Sequence, residues 1–461
     1  MYDFSRDKLI DILEAALAQG GDYAELFFEE SSTRLLSYLD HKVDKMSAGK
    51  YHGVGLRILY DKKTIYLYSN KTNYENLFDL ARKGAEVIGQ KPVKKEIILP
   101  QLFEADNHPV EIIPASVDLE EKLALLRLMD EQAGKVSDKI VQVINNYSEK
   151  ERNILIYSSD GIYSADSQTY CRLITQAVAN DGKENQTIYN THGALKGFEF
   201  LKDFDPAQLA INAAEIALTM LTAGYPPSGI MPVVIENGFG GVIFHEACGH
   251  ALEATSVADD ASVFCGKMGQ VIASEIVSAV DDGTIPHEWG SINIDDEGLP
   301  AQRTQLIKNG VLTSYLVDKL GSLKMGDALT GSSRRESYQY PPTSRMRNTF
   351  ITQGTSEFEE LLNGIKLGLY AKKMGGGSVD PATTEYNFAV AEGYLIENGK
   401  ITKPLRGATL IGRGNETLMN IDRVGRNVKL ADGTCGSISG SVPTTVGQPA
   451  IRVQGLTVGG R

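Results

Sequence analysis

Residues 241–255 read Gly241-Val242-Ile243-Phe244-His245-Glu246-Ala247-Cys248-Gly249-His250-Ala251-Leu252-Glu253-Ala254-Thr255. Two imidazoles and a carboxylate stand together in a short apolar run. Imidazole nitrogens suit Zn²⁺, and a carboxylate beside the first ligand can take a proton from water that the metal activates. The familiar metallopeptidase spelling is H-E-x-x-H, which puts both histidines on one helix face. Here His245-Glu246-x-x-x-His250 carries one residue more. On a regular α-helix, positions i and i+4 differ by about 40° around the axis and positions i and i+5 by about 140°. The two histidines can therefore share a metal only across a π-bulge or a break, and Gly249 is the expected place for the distortion. The plainer reading is a buried helix with incidental polar residues, and Val242, Ile243, Phe244 and Leu252 do favour burial. Ionisable groups in such a run are costly to bury without a partner, so the expectation is a metal site.

The rest of the chain bounds the reading. Its 461 residues suffice for two or three domains. A hydrophobic content of 42% and a charged content of 23% describe an ordinary globular composition. A formal net charge of −13 argues against nonspecific attraction to nucleic acid or to an anionic membrane. Cys171, Cys248, Cys265 and Cys435 form no C-x-x-C pair and are too few for a disulfide framework. The polar N-terminus has no signal-peptide pattern and no apolar run reaches membrane-spanning length, so the expected location is the cytoplasm.

The coarse order of elements suggests an α+β protein: two N-terminal sheet-plus-helix units, then a β-rich C-terminal domain carrying the His245 helix. Residues 1–90 read as the first unit. It has a helix over Ser5–Gln19, β-like runs at Tyr23–Glu30, Leu35–Asp40, Gly53–Tyr60 and Thr64–Tyr68, and a helix over Tyr74–Ile88. Val54, Leu56, Ile58 and Tyr60 alternate as in a half-buried strand. Residues 91–115, with Pro92, Pro100, Pro109 and Pro114, read as a linker. Residues 116–223 read as a second unit of helix, meander strands and helix, an order that loosely echoes the first. Residues 224–461 form the third part. Asn309-Gly310 and Asn398-Gly399, each between apolar runs, predict hairpins, and Gly375-Gly376-Gly377 reads as a flexible loop.

A catalytic zinc usually takes three protein ligands and keeps an open position. Glu253, His287, Cys265 and Cys435 are all candidates for the third, and chemistry alone does not separate Cys435, Cys265 and Glu253. Cys248 should point away from the site as a small core residue. Arg334-Arg335-Glu336 and Arg345-Met346-Arg347 offer guanidiniums that could hold a substrate carboxylate, a solvated surface being the equal alternative. Asp281-Asp282 and Asp295-Asp296-Glu297 lack EF-hand spacing and read as acidic turns. His41, His52, His108 and His192 are scattered and are assigned no role.

The motifs together resemble the TldD branch of the TldD/PmbA (TldD/TldE) family of zinc-dependent peptidases. The carriers are His245-Glu246-Ala247-Cys248-Gly249-His250, Val280-Asp281-Asp282-Gly283-Thr284, Ile294-Asp295-Asp296-Glu297-Gly298, Arg334-Arg335-Glu336-Ser337-Tyr338, Tyr394-Leu395-Ile396-Glu397-Asn398-Gly399-Lys400, Lys403-Pro404, Gly407-Ala408-Thr409-Leu410-Ile411-Gly412 and Leu456-Thr457-Val458-Gly459-Gly460. The resemblance spans nearly the whole chain. It implies Zn²⁺ held by His245, His250 and Cys435, with Glu246 as general base, and cleavage of small peptides or unfolded polypeptide segments. It also implies pairing with a TldE/PmbA-like paralogue as a heterodimer, a homodimer being the alternative. The family has been linked to maturation of peptide antibiotics, antitoxin degradation and gyrase modulation. The competing expectation is a non-catalytic peptide-binding, chaperone-like or gyrase-modulating protein whose zinc is structural.

Overall fold

The computed structural model describes residues 4–89, 97–98, 100–104, 106–380 and 382–460. Residues 91–96, 99 and 105 of the expected linker lie outside them.

The N-terminal half is built on one sheet. After helix α1 (Arg6–Leu17) come β1 (Tyr23–Leu39), β2 (Lys42–Tyr60) and β3 (Lys63–Ser69), then α2 (Tyr74–Glu86) and the short β4 (Phe103–Glu104). A second set follows: α3 (Leu119–Gly134), β5 (Ile140–Ser158), β6 (Tyr163–Asn180), β7 (Asn185–Ala194) and α4 (Pro206–Leu221). The helix–three strands–helix order does repeat. The two units do not have separate sheets, however: β1 pairs antiparallel with β5 from Glu25↔Ser158 to Leu39↔Ile144, giving the order β3-β2-β1-β5-β6-β4 with β7 on β6. The runs read separately at Tyr23–Glu30 and Leu35–Asp40 are one strand, because residues 31–34 hold register between β2 and β5.

Both faces of this sheet are covered. On one, Ala24, Leu26, Phe28, Val54, Leu56 and Ile58 pack under α1 and α2, while Leu36, Tyr38, Val143 and Leu173 belong to the cluster under α3 and α4. The opposite face does not meet water as a half-buried strand would: Glu25, Phe27, Glu29 and Arg57 are buried there. Tyr338 from the C-terminal half packs against Phe27, and Arg335 pairs with Glu25.

The C-terminal half opens with β8 (Gly229–Ile235), runs through the His245 helix, and continues as strands: β9 (Ala279–Asp282), β10 (Arg303–Lys308), β11 (Val311–Leu312), β12 (Ser333–Arg334), β13 (Thr343–Ser344), β14 (Asn348–Ile351), β15 (Leu367–Val379), β16 (Glu385–Glu397), β17 (Lys400–Leu405), β18 (Thr409–Arg413), β19 (Ile421–Val424), β20 (Lys429–Ser437), β21 (Gly440–Gln448) and β22 (Ile451–Gly459). One sheet has the order β11-β10-β9-β14-β21-β20, another β15-β8-β22-β18-β16-β17 with β19 on β22. A shared core holds Val233, Ile235, Phe244, Leu252, Leu306, Phe388 and Val446. Both Asn-Gly pairs turn hairpins with positive φ at each residue, 49° and 79° at 309–310 and 51° and 75° at 398–399, the backbone that type I′ turns demand. Gly375-Gly376-Gly377 is no loop: it lies within β15, where register shifts against β16 mark an irregular strand. Among the described residues, no helix is long and apolar enough to cross a membrane.

A candidate metal centre on a π-turn

The His245 helix starts as a single α-turn over Val242–Phe244, becomes a π-helix over His245–Gly249 and tightens to a 3₁₀ turn over His250–Leu252. The His250 amide donates to the His245 carbonyl, five residues back. The extra residue is thus absorbed as the expected distortion, and the two imidazoles converge with ring centroids 5.0 Å apart and planes at 84°. Gly249 is required by a close approach: a Cβ there would lie 2.1 Å from Met346 Sδ.

The third group arrives from far along the chain. Cys435, on edge strand β20, sets its Sγ 3.3 Å from His245 Nε2 and 3.3 Å from His250 Nε2. The candidate ligand atoms of His245, His250 and Cys435 all fall within 4.8 Å of one another, the one such group among the described residues. Burial alone would push the Cys435 thiol up, but the facing imidazoles outweigh it and bring it down to about 3. Burial likewise pushes His250 down, yet Glu253 and Cys435 overcome it and hold His250 well above its usual value. The rings thus favour the deprotonated sulfur, and the sulfur and Glu253 favour the charged form of His250.

The other candidates separate cleanly. Glu253 does not join the three donor atoms: its Oε2 lies 3.1 Å from His250 Nδ1, and its Oε1 accepts from the Met346 amide at 3.2 Å. A carboxylate on Nδ1 fixes the ring so that Nε2 faces the thiolate. Glu246 Oε2 lies 3.7 Å from His250 Nε2, and its side chain keeps 27% exposure, so it can reach both the donor cluster and solvent. Cys265 donates to the Val257 carbonyl and Cys248 lies in the core, its thiol pushed up by burial. His287 lies elsewhere, edge-on to His108, with its amide donating to His108 Nδ1 at 3.0 Å and its ring Nδ1 3.2 Å from the Leu195 carbonyl.

The arginines depart from both readings offered for them, and the acidic pairs in part. Arg334, Arg335, Arg345 and Arg347 are all buried rather than solvated or open to a substrate. Arg347 pairs with Asp281 at 2.5 Å, Arg335 with Glu25, and Arg334 donates to the Met346 and Pro443 carbonyls. Asp295 accepts backbone amides of Glu297, Leu299 and Ser333, Asp296 pairs with Arg152 at 3.0 Å, and Glu297 pairs with Arg57. Asp295-Asp296-Glu297 do form a turn, closed by the Gly298 amide on the Asp295 carbonyl, whereas Asp281 and Asp282 end strand β9; all five side chains are buried. Sequence reasoning missed Trp289, whose Nε1 donates to the Gly433 carbonyl at 2.7 Å, and Arg172, which pairs with Asp432 at 2.7 Å. Both brace β20 within a few residues of Cys435. The one signal that singles either out is that Trp289 is the chain's lone tryptophan.

Comparison with known proteins agrees on one family. Models described as PmbA/TldA metallopeptidase domain 1, central domain and C-terminal domain match residues 24–88, 112–221 and 228–460. A metalloprotease TldD homologue of Haemophilus influenzae is 36% identical over 99% of this chain and 97% of its own length. A metalloprotease of Methanocaldococcus jannaschii is 34% identical over 95% of this chain and 97% of its own. Among solved structures, the fold matches TldE from Thermococcus kodakarensis with a TM-score of 0.77 at 17% identity, over 98% of this chain and 99% of that one. It also matches a proposed modulator of a DNA gyrase from Thermotoga maritima with a TM-score of 0.78 at 22% identity, over 95% and 96% of the two chains.

Proposed function

The chain belongs to the PmbA/TldD metallopeptidase family, and from that premise we propose that it is a zinc-dependent peptidase acting on small peptides or unfolded polypeptide segments in the cytoplasm. His245, His250 and Cys435 would hold the ion. The observation that carries this is the convergence of their ligand atoms within 4.8 Å. Two imidazoles and a thiolate suit zinc, and a set of three protein donors leaves a position for water or substrate, whereas a structural site is normally closed by a fourth. When bound, zinc supplies Lewis acidity toward the scissile carbonyl and toward water.

The chain's own residues do the rest. Glu246 accepts a proton from the attacking water at its carboxylate and delivers it to the departing amide nitrogen. Its partial exposure lets it work at the mouth of the site. Glu253 holds His250 in one tautomer throughout, and Val242, Phe244 and Leu252 of the same segment are buried in the core. The fold likeness to TldE supports a TldE-like paralogue as the partner subunit. The test is zinc content and cleavage of a peptide mixture by wild type, Glu246→Gln and Cys435→Ala, each with and without a TldE-like chain. Glu246→Gln should keep zinc and lose about 10²-fold or more in turnover, and Cys435→Ala should lose both. Full cleavage by Glu246→Gln removes the base assignment.

A further inference from the structure

The Cys435 thiol and the His250 imidazole are mounted on different elements. His250 follows a π-turn, whereas Cys435 sits on β20, which among the described residues pairs with β21 alone. An edge strand leaves one row of backbone groups without a neighbouring strand, so side chains must tie it. Arg345 spans the gap. Its side chain is 1% exposed. Nη2 donates to the Cys435 carbonyl at 2.6 Å, and Nη1 donates to Ser439 Oγ and to the Gly440 carbonyl, each at 2.9 Å. Nε faces Glu253 Oε1 at 4.0 Å, and the other oxygen of Glu253 is the one 3.1 Å from His250 Nδ1. A buried guanidinium with a single carboxylate at that distance, and neutral acceptors otherwise, is a costly arrangement. Its planar fork reaches the strand, the turn and the carboxylate at once, which a lysine ammonium cannot do.

We infer that Arg345 and Glu253 are coupled positioning residues: one cation ties the backbone of Cys435 to the carboxylate that orients His250, setting the thiolate and the imidazole at metal-binding separation before any ion arrives. The inference rests on the reading of His245, His250 and Cys435 as the metal ligands. Neither positioning residue reaches the metal or the substrate. Their effect is on how well the donors are pre-organised.

The experiment is cobalt(II) binding to the zinc-free full chain. It reads affinity by competition with a chelator, and the thiolate-to-cobalt charge-transfer band. Wild type, Arg345→Lys, Glu253→Gln and the double variant are compared. Each single change should lower affinity by about 10–100-fold and weaken the band, and the double should fall no further than the weaker single. A purely structural arginine would lower the unfolding temperature and leave affinity and band as they were. That result in both singles overturns the inference, as does strict additivity. Should Arg345→Lys not fold, Glu253→Gln decides alone, and wild-type affinity in it is again fatal. A wild type that binds cobalt without the band removes the ligand assignment and the inference together. A wild type with the band and unchanged variants removes the inference only.

Discussion

The amide of His250 donates to the carbonyl of His245, and that one i+5 bond turns two imidazoles that a regular helix would splay into a facing pair. The bond needs the chain to pass Met346 at Gly249, where a methyl group would lie 2.1 Å from Sδ. Gly249→Ala should therefore cost about 1–3 kcal/mol of stability by overpacking and reduce zinc content in the folded fraction. Trimming the obstacle in the same chain, with Met346→Ala, should restore part of both. Thermal unfolding and metal analysis check this. A stable, fully metallated Gly249→Ala would mean that the π-turn does not depend on the glycine.

The distortion was legible because it follows from counting: an extra residue between two histidines has one geometric consequence. The hairpins at Asn309-Gly310 and Asn398-Gly399 were legible for the same local reason. What the sequence hid was tertiary. Cys435 and Cys265 have the same chemistry and similar glycine-bearing surroundings, and only the β20–β21 pairing brings one of them to the imidazoles. Arg335 and Arg347 read as solvated or substrate-facing because a buried ion pair and a surface one use the same residue types. Their partners Glu25 and Asp281 lie in different elements, Glu25 in the other half of the chain. The union of the two N-terminal units into one sheet rests on β1 and β5 meeting across a long stretch of chain, which no local pattern announces.

Cysteine labelling should separate the four thiols. Cys171 is buried and pushed up to about 12 by that burial, and Cys248 is pushed up by burial too. Neither should react with iodoacetamide in the native protein, since the thiolate is the nucleophile. Cys435 should react after chelation and be protected by zinc, while Cys265 is indifferent to the metal. Mass mapping of the alkylated sites reads the pattern. Equal labelling of Cys435 with and without zinc would contradict its place as a ligand.

Between the two halves of the chain, Glu297 is buried against Arg57 with Asp318 and Glu25 close by. Burial is the main cause that lifts it from 4.5 to about 7, against the pull of Arg57. A folded-state value above the unfolded one gives a stability contribution that is full below about pH 4.5 and lost as pH rises through about 7. Wild type should accordingly lose stability relative to Glu297→Gln between pH 5 and pH 8, estimated as roughly the window set by those two values. Paired melting curves across that range test it. A difference that stays flat, or that grows in favour of wild type, would show Glu297 to be ionised throughout.

Trp289 gives the proposed metal site a built-in reporter. It is the one tryptophan of the chain, its indole donates to the Gly433 carbonyl two residues before Cys435, and Arg172 stacks on it with its guanidinium carbon 5.2 Å from the ring centroid. Anything that shifts β20 must move either that hydrogen bond or that cation. Chelation should therefore change the tryptophan emission, and returning zinc should restore it with the stoichiometry of a single ion. Cys435→Ala should abolish the response while leaving the emission of the folded protein otherwise intact, because the Gly433 carbonyl is still present to accept. Arg172→Ala should lower zinc affinity as well, since it frees Asp432 from a pairing with side chains only 15% and 7% exposed. That loss should be smaller than the one caused by removing the thiol, because Arg172 holds the strand rather than the ion. Emission that ignores chelation in a chain shown separately to bind zinc would mean that β20 is rigid without the metal, held by its ties to Arg172, Trp289 and Arg345.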